Sequence, residues 1–455
     1  MRKLKTLLPT VGILLSAGLP ASAQSGKIAL EEVVEEALKS NNLVHITRLQ
    51  QSEQASKVRE MQIKRLPVLS LGALYMYRFN IGSLTVPAGT LGALPTAAGN
   101  VLLPSEQLSM NFGEHNTFLA SAMLYQPLTQ QFKIASGIAA AKTDAALASL
   151  ERTKAELDIV NGVEKLAYGL LAVRAQMAEA EGRIAVARQK RYDAESASMA
   201  GKALEADLSG LDAQILAQQQ QRLACKTKEE SLLTEMQKLS GLDLHGVDLA
   251  DSSAEPQPSD KTLSDYLSMA MADNVDLKIS EQQMAKSAWG VKAAKQSYLP
   301  DVGMMAGYSY QNSLDILSKS NPFVGVSFQW NLHDVLSNRQ TVRQSKLKRE
   351  QAAENEAYTR KATKAQVEKC FQAMTEAEHL MQLTRQALDY AEKTLRIEQD
   401  RREAGLTTVL SVMEKEADLA KAQADHYAAK QSYKVAQADM QRLTSRKELK
   451  VKNKE

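Results

Sequence analysis

Two periodicities divide the chain. In the long stretches, apolar residues recur every seven positions. Val163, Leu170, Met177 and Ile184 form one line, with Leu166, Val173, Ala180 and Ala187 three places on. Further along, Val367, Met374, Met381, Leu388 and Leu395 repeat the pattern beside Cys370, Ala377, Thr384 and Ala391. Apolar residues in such a heptad predict coiled-coil seams, and the alternation of large and small side chains lets the backbones approach closely. The proline-free runs 130–200 and 334–404 each predict a helix about 105 Å long.

Elsewhere the period is two. Val324, Val326, Phe328, Trp330 and Leu332 alternate with Gly325, Ser327, Gln329 and Asn331. Leu69, Leu71, Ala73, Tyr75 and Tyr77, and again Val302, Met304, Ala306, Tyr308 and Tyr310, line one side of their predicted strands. Segments of about 10 alternating residues with aromatics at an end suit tilted strands crossing a bilayer. On that reading Tyr75, Tyr77, Tyr308, Tyr310, Phe328 and Trp330 are the membrane-facing aromatics; taken strand by strand, an ordinary soluble sheet packed on a core is the alternative. The segment near 118–128 alternates poorly and its face is not assigned.

The pattern is written twice. Residues 30–67 align without a gap on 263–300, pairing Ala37 with Ala270, Asn41 with Asn274 and Pro67 with Pro300. Beyond Tyr77 and Tyr310 the offset falls, and Gly201 meets Gly405. The extra residues of the first copy lie between Tyr77 and Phe118, a stretch rich in Gly, Pro, Thr and Ser that predicts a long loop. The expected organisation is a signal peptide (1–23), a first repeat (24–242), a linker (243–262), a second repeat (263–447) and a basic tail (448–455). In the first repeat, strands near 68–81 and 118–128 precede a long helix at 130–200 and a return helix at 203–240. In the second, strands near 301–311 and 322–332 precede helices at 334–404 and 407–446.

The signal peptide is read from Arg2, Lys3 and Lys5, the apolar run from Leu7 to Leu19, and the Ala21-Ser22-Ala23 cleavage site. With those three basic residues set aside, the 56 basic residues come level with the 53 acidic ones, which argues against a nucleic-acid partner. No later run has the roughly 18 apolar residues of a spanning helix, so membrane entry would fall to the strands. Four strands are too few for a barrel, and an open edge in lipid leaves backbone groups unpaired, so the sheet requires further copies of the chain.

Arg402-Glu403-Ala404-Gly405-Leu406-Thr407-Thr408-Val409-Leu410 resembles the signature of the TolC-like outer-membrane efflux family, with a weaker version at Ala200–Leu208. The resemblance implies a mostly α chain whose long antiparallel coiled-coil helices form an α-barrel tunnel, with four strands per chain joining an oligomeric transmembrane β-barrel. It implies a homotrimer in the outer membrane that reaches into the periplasm. Its expected partners are a periplasmic adaptor (membrane fusion) protein and an inner-membrane transporter, in a tripartite efflux pump or a type I secretion system. Gly201 and Gly405 would mark the tip turns, and Asp207, Arg402, Thr407, Ser411 and Glu414 the periplasmic constriction. The usual tyrosine and arginine of the second hairpin are replaced here by Arg402 and Thr407, and Ser411 stands at an acidic position. An Arg402–Asp207 contact could replace the usual lock, and three Glu414 carboxylates could favour cations.

The competing reading is an exported, elongated coiled-coil scaffold. Catalysis has no support: there is no phosphate-binding glycine loop, no zinc spacing and no nucleophile motif, and Glu376-x-x-His379 lacks the second copy a di-iron site needs. No cofactor or metal is expected. Cys225 and Cys370 lie in helical patterns and are expected as buried thiols.

Overall fold

The protein was analysed as a computed structural model that describes residues 27–97, 99–199, 205–245, 248–250, 260–313 and 318–445. The signal peptide and the basic tail lie outside the described residues, as does Gly201. The first repeat runs β1 (Lys27–Ala29), α1 (Leu30–Ser40), α2 (Asn42–Ile63), β2 (Val68–Tyr77), β3 (Gly82–Val86), β4 (Ala93–Thr96), β5 (Gly99–Leu102), β6 (Leu108–Phe112), β7 (Asn116–Pro127), α3 (Gln130–Met199) and α4 (Glu205–Ser240). After β8 (Asp248–Ala250), the second repeat contains α5 (Leu263–Asp273), α6 (Val275–Gln296), β9 (Asp301–Gln311), β10 (Ser320–Gln329), α7 (Leu332–Glu403) and α8 (Val409–Leu443). The chain is thus mostly α, with one four-stranded sheet and two helices of 70 and 72 residues.

The segment between β2 and β7 differs from the long loop expected. It holds two ribbons, β3 with β6 and β4 with β5. Its strands are only four or five residues long and broken by Gly and Pro, too short to set up a readable period. The stretch between the repeats likewise carries β8, which pairs in parallel with β1.

The duplication is built into the hydrogen bonding. The Asn41 side chain accepts from Leu43 N at the start of α2, and its amide donates to Leu239 O at 3.0 Å. Asn274 accepts from Leu277 N at the start of α6 and donates to Leu443 O at 2.8 Å. Each asparagine therefore satisfies an orphan N–H of one helix and a terminal carbonyl of another. In both repeats this joins the short helices to the end of the returning one.

Two equivalent cores sit at these junctions. One gathers Val33, Val34 and Ala37 of α1 against Val163, Ala167 and Leu170 of α3 and Met236 of α4. The other gathers Tyr266 and Ala270 of α5 against Val367, Cys370 and Met374 of α7 and Tyr433 and Met440 of α8. The predicted heptad lines are these seams: Val163 and Val367 are both completely buried. Cys225 and Cys370 are free and buried; burial pushes the Cys370 thiol up to about 12, and its Sγ donates to Ala436 O.

Side by side, the long helices run in the order α4, α3, α8, α7. Helix α3 is tied to α4 by Arg174–Glu229 at 2.7 Å, and to α8 by Lys165–Asp439 at 2.6 Å and by an Arg442–Asp158 pair. Nearer the sheet, α2 and α6 pack on either side of α3, and α7 packs on α6. Among the described residues, no helix is long and apolar enough to cross a membrane.

Candidate functional site

The four-stranded sheet has the order β10-β9-β7-β2, every neighbouring pair antiparallel. Residues directly opposite one another in such a ladder project to the same face. Val324 pairs with Ala306, Ala306 with Leu124, and Leu124 with Leu69. Tyr308 pairs with Ala122, which in turn pairs with Leu71. Phe118, Ala120, Ala122 and Leu124 of β7 therefore share a face with the apolar sets of the other three strands. That assigns the strand whose own alternation was unreadable.

This face is apolar and uncovered within the chain. Leu71 is 76% exposed, Val324 80%, Val326 70% and Phe328 67%. Its aromatics fall at two levels. Phe328 and the adjacent Trp330 lie at the helix end of the sheet, whereas Tyr75, Tyr77, Phe118, Tyr308 and Tyr310 lie at the loop end. The eight steps from Tyr310 back to Val302 span about 27 Å along the strand. That separation matches the spacing of the aromatic girdles that flank the apolar band of transmembrane barrels in general. Tyr75 donates to Asn116 Oδ1 at 2.9 Å and Tyr308 accepts from Ser320 at 2.8 Å, so these phenols have polar partners at the sheet's end.

The opposite face is mixed: Ser70, Ser121, Ser309, Asn321, Ser327 and several glycines stand beside Leu74, Met76, Met123 and Met305. Two aromatic rings lie flat on it. A Cβ at Gly303 would sit 2.5 Å from the Tyr125 ring, and one at Gly307 2.6 Å from that of Phe323. Glycine is needed at both positions because the rings occupy the space of a side chain.

At the far end of the second hairpin, α7 stops at Gly405, whose φ of +72° is readily adopted only by glycine. Thr408 then caps α8 by accepting from Ser411 N. Glu398 organises the turn. It is 8% exposed and accepts from Thr407 Oγ1 at 2.5 Å and Ser411 Oγ at 2.6 Å, while Arg401 lies 3.4 Å from its other oxygen. The hydroxyl donors, Ser411 first and then Thr407, hold its carboxyl below the usual carboxylate range. Sequence reasoning passed over Glu398, yet the signal was present: it continues the seam of Cys370, Ala377, Thr384 and Ala391 as a carboxylate where an apolar residue is due.

Thr407 and Ser411 are thus brought together around Glu398. Glu414 lies apart and pairs with Lys190 of α3 at 2.7 Å, which links the two hairpins. Arg402 is exposed on the last turn of α7. Asp207 falls within α4, and its side chain lies outside the described residues.

The described chain is thus a four-stranded sheet with one apolar face, carried on helices of 70 and 72 residues. Residues 266–446, most of the second repeat, match the family model for the outer membrane efflux protein. Among solved structures, the chain is similar to the CmeC outer membrane channel of Campylobacter jejuni, at a TM-score of 0.71 and 16% identity over 91% of this chain and 85% of that one. It is similar to the outer membrane protein VceC of Vibrio cholerae, at 0.66 and 16% over 91% and 95%. It also resembles the open MtrE outer membrane channel of Neisseria gonorrhoeae, at 0.61 and 12% over 91% and 88%. No curated protein sequence matches the chain.

Proposed function

We propose that the chain is one subunit of a homotrimeric outer-membrane channel, the exit duct of a tripartite efflux pump or type I secretion system. The observation that carries this reading is the sheet. It offers lipid an apolar face, and its edge strands β2 and β10 are paired on one side only. Edge groups left unpaired in lipid cost several kcal/mol each. Three copies, β10 of one against β2 of the next, give a closed barrel of twelve strands with no edge.

The helices support the same closure. Their outermost members are α4 and α7, and both carry exposed apolar residues. Leu216 and Leu223 lie 15 and 22 positions beyond Gly201, while Tyr390 and Leu383 lie 15 and 22 positions before Gly405. In a ring of three copies, α4 of one subunit meets α7 of the next, and these residues stand at matching heights from the tip. The duct then crosses the outer membrane as strands and the periplasm as helices. A periplasmic adaptor and an inner-membrane transporter would engage its narrow end.

Closure at that end falls to the hairpin tips. Arg402 is exposed and basic, Asp207 is acidic, and a contact between the two tips would hold the constriction shut. Glu414 contributes less negative charge than an unpaired ring would, because Lys190 lies beside it. Thr407 and Ser411 act through Glu398, stiffening the second turn rather than bridging subunits.

Purified protein in a planar bilayer tests this reading. The proposal expects small, closed-tip conductance from wild type and larger, leakier events from Asp207→Ala. A chain that fractionates as soluble protein and never conducts would leave the exported coiled-coil scaffold as the better account.

A further inference from the structure

The segment between β2 and β7 is where the first repeat departs most from the second, and neither the lipid face nor the tip uses it. Between Phe79 and Phe112 the only ionisable side chain is Glu106. Among the described residues, β3 pairs only with β6 and β4 only with β5. Leu84, Leu91, Leu94, Val101, Leu108 and Met110 are 46–79% exposed on this arm. A two-stranded ribbon alone in water is marginally stable at best, and an exposed apolar patch of this kind marks a contact surface.

Charge and reach identify what covers it. The surface of an anionic lipid leaflet attracts Lys and Arg, and the segment from Phe79 to Phe112 has neither. The arm rises beside β2, the edge strand that barrel closure places at the subunit boundary. A barrel of twelve strands about 4.8 Å apart, tilted by about 40°, has a radius of roughly 12 Å. β3 alone, five residues long, spans about 17 Å. Beyond it, Gly89 at φ +81° and Gly92 at φ +95° fold the arm before β4. Three arms are therefore long enough to meet on the barrel axis.

Resting on the trimeric channel reading, we propose that the three ribbons pack against one another over the outer mouth and form a second, apolar constriction at the exit. The covering partner of each ribbon is a second copy of this chain. A narrow apolar ring holds back water and ions by dewetting, without any charged gate residue.

Single thiols test the contact. Leu94→Cys and Leu91→Cys each place one accessible cysteine on the arm, and wild type is the blank because Cys225 and Cys370 are buried. A short bis-maleimide added to intact cells should join two copies into a dimer, the largest product one thiol per chain allows. In a second measurement, Ser327→Cys on the lumen face of the barrel is labelled from outside with a bulky polyethylene-glycol maleimide. Replacing residues 82–112 with a short Gly-Ser link should raise that labelling rate about tenfold or more. No cross-link at either position, together with unchanged labelling, overturns the constriction. The mass of wild type in mild detergent is read alongside: a trimer failing both tests loses only this inference, whereas a monomer overturns the channel reading and this one with it.

Discussion

Helices α3 and α7 occupy the same place in the two repeats and have almost the same length, yet their surroundings differ. Nineteen residues of α3 are buried against eight of α7, so α3 is an interior helix of the subunit and α7 an edge. α3 is flanked by α4 and α8 and clasped by ion pairs on both sides. α7 leans on α8 and leaves Tyr358, Leu383, Tyr390 and Ile397 exposed. The duplicated helix therefore has two environments: one copy completes the core, and the other leaves an apolar edge exposed. The sheet repeats the lesson, since β9 and β7 are paired on both sides and β10 and β2 on one.

Charging the edge should have the largest effect. Leu383→Asp combined with Leu223→Asp is expected to abolish the oligomer while leaving helical circular dichroism unchanged. A stable trimer from that variant would break the comparison between edge and interior. Truncation separates the two environments further. Leu170→Ala should cost about 2–5 kcal/mol of unfolding free energy, as for other fully buried leucines, whereas Leu383→Ala should stay within about 0.5 kcal/mol in the isolated chain. Denaturant titration of both variants checks this.

The membrane tier gives a comparable effect by a different mechanism. Val326 pairs with Met304, between the two aromatic levels and one pleat repeat in from Phe328. Val326→Arg should therefore cost up to about 2–4 kcal/mol in bilayer folding, the upper figure being that of a cation at the midplane of a barrel wall. Ser327→Arg, one residue along and facing the lumen, should cost far less.

The smallest effect is expected at Glu398. Its carboxyl is held below the usual range by the hydroxyls of Ser411 and Thr407, so its contribution is present above the ordinary carboxylate value. That contribution is lost as pH falls through the depressed value. Amide exchange of residues 405–412 should accelerate in Glu398→Ala, with Glu398→Gln less affected. The acid sensitivity of wild type in this segment should be absent from both variants.

Much of the architecture was legible because periodicity is a local signal. The heptads through Val163 and Val367 each report one buried line, and the alternation from Val324 to Trp330 reports one exposed apolar line. The face of β7 was not legible, because small residues at Ala120 and Ala122 blur its alternation, and only pairing to β2 and β9 assigns it. The tip was legible in position but not in partners. Gly405 marks the turn, whereas the attachment of Thr407 and Ser411 to Glu398, and of Glu414 to Lys190, depends on helix phase and on contact between hairpins. The ribbons β3–β6 and β4–β5 were hidden by strands too short to set a period.

We propose that this chain, its sheet open at β2 and β10, is closed by two further copies. Its native mass, measured after extraction from outer membranes in mild detergent, tests that claim most directly. A particle of three chains is the expected result. A monomer or dimer that leaves the membrane fraction without detergent would contradict the account.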